Sequence, residues 1–309
     1  MSIENAKILK GQNHSYLYFP NDQNYIISKG RFETVYFSLM IPEKKRVICK
    51  QLNRNLMKDE KSRLRFLHQT STQINSQSLV KNIDFIANDD GLFLIQEFVE
   101  GKDFHSYILD LRVSKQNREK EIIKLVISVL DSLIPIHEAG YVHCSIKPSS
   151  IIITKAPEDF NDFPEIKIID LYLSQSPRFI PQLSPKNRIE YNLKYSAPEL
   201  LLNHNKLANA STDLFSLGMI LYEYVSGVFP FKFDNAINLV QMQSSAPIPY
   251  HINISDALTS VIIHACSKPH FRKPPGNYAA TETENLISES LDYRYKTAKH
   301  MAVDLLKIL

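Results

Sequence analysis

A chain of 309 residues, 44% hydrophobic and 22% charged, has apolar surface for a sizeable core, which excludes a disordered tail or a small disulfide-stapled scaffold. A net charge of +3 with scattered Lys and Arg argues against nucleic acid as the main partner, and the distant Cys49, Cys144 and Cys266 fit buried thiols in a reducing compartment. No apolar run approaches the ~18 residues of a membrane span, and MSIENAKILKGQN lacks a signal-peptide core, so a soluble, cytoplasmic protein is expected.

In chain order, the first hundred residues alternate short β-rich runs with turns: NYIISKG, ETVYFSLM, KRVICKQL, LVKNIDFIA and LFLIQEFV. NDDG at 88–91 supplies a tight turn between the last two. DEKSRLRFLHQTSTQ, between the third and fourth, carries helical apolar spacing at Leu64 and Leu67. After GKDF the pattern turns helical, through HSYILDLRV, EKEIIKLVISVLDSLIPIHEAG, TDLFSLGMILYEYVSG, DALTSVIIHACS and YKTAKHMAVDLLKIL. Strands followed by helices predict an α+β chain with a small β-rich N-lobe (about 1–98), a larger helical C-lobe (about 102–309) and a cleft between them. With only eight glycines, each is expected to answer a local backbone demand.

Several stretches could carry chemistry. Gly30, in ISKGRFETVYF, is either a turn glycine or one that lets backbone approach a phosphate. Lys50 in RVICK, on the next strand, is either solvated or within reach of phosphate oxygens. Asp170 ends the apolar strand EIKIID, where a carboxylate either caps a turn or ligates a metal. The ten histidines show no metal-ligand spacing, and His143 is expected to pack under the loop HCSIKPSS.

Taken together in order and spacing, these stretches resemble the protein kinase family over essentially the whole chain, from about Tyr25 to Leu309, as a single bilobal kinase-like domain. The flavour is that of Ser/Thr-type kinases, bacterial ones included. The resemblance places Gly30 and Val35 in the glycine-rich loop and Lys50 in V-I-C-K, where the family has V-A-I-K. QEFVEG becomes the hinge, with Gln96 as gatekeeper and Glu97 and Val99 as ATP contacts. HCSIKPSS stands for H-R-D-x-K-x-x-N, with Lys147 retained, and DLY at 170–172 stands for D-F-G. Glu199 of the intact APE, Asp213 and Arg294 fit residues that hold the C-lobe together. ATP and magnesium are the implied cofactors.

The departures cluster on catalysis. Ser145 replaces the aspartate that accepts the substrate proton, and an alcohol is not ionised near neutral pH. Ser150 replaces the asparagine that holds the second magnesium and is left as a weaker hydroxyl ligand. Tyr172 replaces a glycine, and Cys144 replaces the arginine that docks an activation-loop phosphate. Ser28 and Glu33 stand at glycine positions, Glu33 adding a negative charge beside the phosphates. Glu60 comes early for the helix carboxylate that should pair with Lys50; Gln69 in RFLHQ fits better but offers no ion pair.

The expected protein is therefore a pseudokinase, a signalling or scaffolding module that binds ATP weakly with one metal. The alternatives are a weakly active Ser/Thr protein kinase and, without motif support, another phosphoryl or nucleotidyl transferase. A protein partner is expected. Between DALTSVIIHACS and LDYRY, where the family has only a few residues, this chain carries SKPHFRKPPGNYAATETENLISES. Pro274, Pro275 and Gly276 predict an exposed loop in its first half, and residues 268–290 are expected to help dock a partner while being dispensable for stability.

Overall fold

The computed structural model describes residues 6–71, 74, 76–111, 115–159, 162–171, 174–176, 179–180 and 191–309, without the side chains at 71, 115 and 116. The chain separates into two compact units, Met1–Gln73 with Leu79–Glu100, and Ile74–Ser78 with Gly101–Leu309. The architecture is the expected α+β one.

The first unit is an antiparallel sheet. Its strands are β1 (Lys7–Lys10), β2 (Ser15–Tyr18), β3 (Ile26–Lys29), β4 (Glu33–Ile41), β5 (Lys45–Leu52), β6 (Asn82–Asn88) and β7 (Gly91–Glu97). The order is β1-β2-β4-β5-β7-β6, with β3 paired to β4. Period-two alternation sorts the side chains onto two faces. Tyr36, Val47, Cys49, Phe93 and Ile95 pack on one face with Tyr16 and Tyr18. Leu52 and Leu94 point the other way and bury Phe66 of helix α1 (Glu60–Ser71). Asn88 pairs with Gly91, so Asp89 and Asp90 form the two-residue turn, and Gly91 takes φ 138°.

The second unit holds a small sheet and most of the helices. Strands β8 (Lys102–Asp103), β9 (Ile151–Lys155) and β10 (Glu165–Ile168) pair in the order β10-β9-β8. The described helices are α2 (Phe104–Asp110), α3 (Lys115–Glu138), α4 (Pro198–Leu201), α5 (Ala210–Ser226), α6 (Ala236–Ser245), α7 (Asp256–Ala265), α8 (Ala280–Asp292) and α9 (Ala298–Leu306). Buried along most of its length, α5 begins on a capping box between Asn209 and Thr212. A Cβ on its Gly218 would come 2.5 Å from Cys266 Sγ, so glycine is what lets α5 and the end of α7 approach. Among the described residues no helix is long and apolar enough to cross a membrane.

The insertion meets expectation in part: His270, Arg272, Lys273, Pro274 and Gly276 are exposed in its first half, as a loop would have them. Its second half is α8, which buries Thr283, Ile287, Ser290 and Leu291. Its first half contains a 3-10 turn at Pro275–Asn277, and both Pro269 and Pro275 are buried. Lys268 reaches inward, donating to the carbonyl of Ala246 at 2.9 Å, its Nζ 4.1 Å from the Phe231 ring centroid. The exposed loop is thus anchored at Pro269 and Pro275, and cutting out 269–288 would also remove the buried face of α8.

Burial lowers the Lys268 ammonium from an ordinary 10.5 to about 7. Between those values the unfolded chain binds a proton that the folded chain does not. Stability should therefore rise with pH across about 7 to 10.5, by at most ~1.4 kcal/mol per pH unit from this group. Urea unfolding at several pH values should show this slope in the wild type and its loss in Lys268→Met. Equal slopes in both proteins would contradict it.

Candidate functional site

In the first unit, Gly30 closes the turn between β3 and β4: its N–H donates to Glu33 O at 2.9 Å. Asn53 Nδ2 pins the same turn through the carbonyls of Gly30 (2.8 Å) and Arg31 (2.9 Å). Val35 lies opposite Lys50 in the β4–β5 ladder and Glu33 opposite Leu52, so Glu33 and Lys50 are diagonal neighbours on the face that carries α1. Glu33 Oε1 sits 3.5 Å from Lys50 Nζ, and Gln69 Nε2 donates to Glu33 Oε2 at 3.1 Å. All three side chains are buried, whereas Glu60 is exposed in the first turn of α1.

This corrects two expectations. Lys50 does not lack a carboxylate: Glu33 provides one, from the first residue of β4 instead of from α1. Nor is Glu33 a loose charge near the loop; it is drawn inside and hydrogen-bonded. Sequence spacing points to α1 for the partner, whereas the pairing lies across the β4–β5 ladder. The useful signal was the shared strand face of Glu33 and Val35. Phe32, next in the loop, lies under the Arg65 guanidinium (4.2 Å to the ring centroid) and 6.4 Å from Phe66, so the loop tip folds onto α1.

The residues expected to form the hinge begin at the end of β7. Gln96 is buried and donates to Asn82 Oδ1 at 2.8 Å, while Glu97 accepts from the Lys81 N–H at 2.9 Å. Val99 is half-buried.

In the second unit, the loop HCSIKPSS is fixed by buried hydrogen bonds. Asp213, fully buried in α5, accepts from the N–H groups of His143 (2.9 Å) and Cys144 (2.8 Å) and bonds His137 Nε2 at 2.8 Å. Burial holds His143 below the usual histidine range, hence neutral at neutral pH. Its Nδ1 accepts from the Ser145 N–H (3.2 Å), which leaves Nε2 to donate to Ile169 O (3.0 Å). Cys144 packs with Tyr191 and Leu200, and burial raises its thiol well above the ordinary range. A neutral, inert thiol therefore occupies the arginine position.

Ser145 is buried at the aspartate position and brings no carboxylate. Fully buried Ser150 spends its hydroxyl on the loop: Oγ donates to Lys147 O at 2.8 Å and accepts from the Lys147 N–H at 3.0 Å. That corrects the reading of Ser150 as a weak metal ligand, since the hydroxyl caps backbone. Lys147 is half-buried. Asp170 adopts φ 70°, a left-handed conformation that costs a non-glycine residue roughly 1–2 kcal/mol and recurs at functional sites. Tyr172 lies outside the described residues.

Among the described residues no group of three or more His, Cys, Asp or Glu is arranged to hold a metal ion. Within the second unit, Asp170 is the metal-type carboxylate and Ser150 is turned inward, so its described residues fit a two-magnesium site poorly. Elsewhere in this unit, Arg294 Nη1 and Nη2 bond Glu199 Oε1 and Oε2 at 2.9 and 3.1 Å, and both side chains are fully buried. Thr212 Oγ1 adds a bond to Glu199 at 2.7 Å, another partner that the motifs do not reveal.

Residues 22–297 match the family described as the protein kinase domain. The chain is 29% identical over 75% of its length to the serine/threonine-protein kinase dkf-2 of Caenorhabditis briggsae, covering 19% of that protein. It is 26% identical over 81% of its length to the serine/threonine-protein kinase pkn3 of Myxococcus xanthus, covering 46%. A probable serine/threonine-protein kinase of Clostridium perfringens is 27% identical over 84% of the chain, which covers 35% of it. The chain thus spans less than half of each of these relatives.

Proposed function

The chain belongs to the protein kinase domain family, and from that premise we propose that it is a catalytically impaired member, a pseudokinase acting as a signalling or scaffolding module. Proteins of this family use ATP and magnesium. Here Lys50 and Asp170 support weak ATP binding with one metal, in a soluble protein of the cytoplasm that acts through protein partners. Three buried free thiols are consistent with a reducing compartment. The observation that carries the reading is Ser145: the position that accepts the substrate proton has no ionisable group, and its neighbour Ser150 is consumed as a backbone cap.

A weakly active Ser/Thr kinase is the second reading, favoured by the left-handed backbone at Asp170 and the retained Lys147. Phosphoryl transfer through a loose transition state needs little base catalysis, so positioning alone would sustain some rate. Radiolabelled ATP with a generic protein substrate separates the two. The pseudokinase reading expects background transfer by the wild type and a clear rise in Ser145→Asp/Ser150→Asn. Wild-type transfer well above background, and equal to or above that of the double variant, supports the second reading.

A further inference from the structure

Glu33, Lys50 and Gln69 form a buried triad that the family's motifs do not contain. Lys50 is 3% exposed, Glu33 8% and Gln69 1%. A lysine buried to this degree needs a countercharge, since an unpaired buried ammonium is strongly unfavourable. The carboxylate that meets it comes from the third glycine position of the phosphate loop, where a side chain of this length folds back under the turn. Gln69 then orients Glu33 through its Nε2, while its own Oε1 has no hydrogen-bond partner among the described residues. Phe32 on α1 and Asn53 on the turn carbonyls hold the same loop in the same place.

We propose that Glu33 is an internal anion occupying Lys50, latching the phosphate loop to α1, so that ligand phosphate and Glu33 are alternative partners for one lysine. The geometry favours the internal partner, because Glu33 is tethered to the neighbouring strand and already desolvated. A ligand phosphate would have to displace it and leave either Glu33 or Lys50 to be rehoused. The latch rests on the proposed function only for the identity of the competing anion.

Two measurements test it. The first uses no nucleotide: urea unfolding of the wild type, Glu33→Gln, Lys50→Met and the double variant. The latch predicts that the double variant is more stable than the two single losses imply, by at least about tenfold in the unfolding constant. Additive losses overturn it. The second is calorimetric titration with MgATP of the wild type, Glu33→Gln and Glu33→Gln/Gln69→Glu, the last moving the carboxylate from the loop to α1. Removing the internal anion should tighten binding by roughly tenfold, the value of one charge-assisted contact. Equal or weaker binding by both variants than by the wild type overturns the competition. If no protein in the series binds MgATP, weak ATP binding drops out of the proposed function, and the unfolding cycle still decides the latch.

Discussion

Arg294→Leu is expected to lower folding stability by about 3–5 kcal/mol, a large share of what a domain normally has. The guanidinium makes a two-pronged bond with Glu199, donates through Nε to Ser267 O at 2.8 Å and lies 4.9 Å from the Phe215 ring centroid. Leucine would leave a fully buried carboxylate with the Thr212 hydroxyl in place of its countercharge. The penalty is that of a stranded charge more than of a lost attraction, so a second substitution that removes the charge should recover much of it. Urea unfolding of Arg294→Leu and of Arg294→Leu/Glu199→Met is the check. A double variant no more stable than the single one would contradict the argument. Arg294→Lys should fall between, because an ammonium cannot present the planar fork that meets both carboxylate oxygens.

The parts legible in the sequence were those governed by local periodicity. KRVICKQL became β5, Lys45–Leu52, because strict alternation puts Val47 and Cys49 on one face and Lys50 and Leu52 on the other. The hairpin of β1 and β2 went unread: each strand has four residues, and its buried Tyr16 and Tyr18 lie beside polar residues that resemble a loop. Helix α8 was hidden for a different reason. Its inward stripe is Thr283, Ile287, Ser290 and Leu291, so half the helical signal is carried by small hydroxyl residues that a hydrophobic pattern ignores. The prolines before it predict a loop, which is exposed at Pro274 and Gly276 and anchored by buried Pro269 and Pro275.

The candidate site divides in the same way. Ser145, Ser150 and Cys144 were readable as departures because a motif fixes their positions along the chain. What their side chains do instead was not readable: Ser150 capping Lys147, and Cys144 packing against Tyr191 and Leu200, depend on how the loop closes in space. Lys50's partner is not legible from spacing along α1. The pairing crosses the β4–β5 ladder diagonally, and only the register of Val35 against Lys50 makes it visible.

On the pseudokinase reading proposed above, this kinase fold does not carry out phosphoryl transfer at a useful rate. Without a carboxylate at position 145, the loss of one acid–base group alone should cost at least about 100-fold relative to an intact kinase. Ser150's consumption by the loop and Glu33's hold on Lys50 add to that. The direct measurement is the initial rate of radiolabelled phosphate transfer by the wild-type chain, set beside an intact Ser/Thr kinase and Asp170→Ala. The account predicts a wild-type rate at or near background, at least about 100-fold below the intact kinase and not lowered measurably by Asp170→Ala. Robust wild-type turnover that disappears in Asp170→Ala would contradict it.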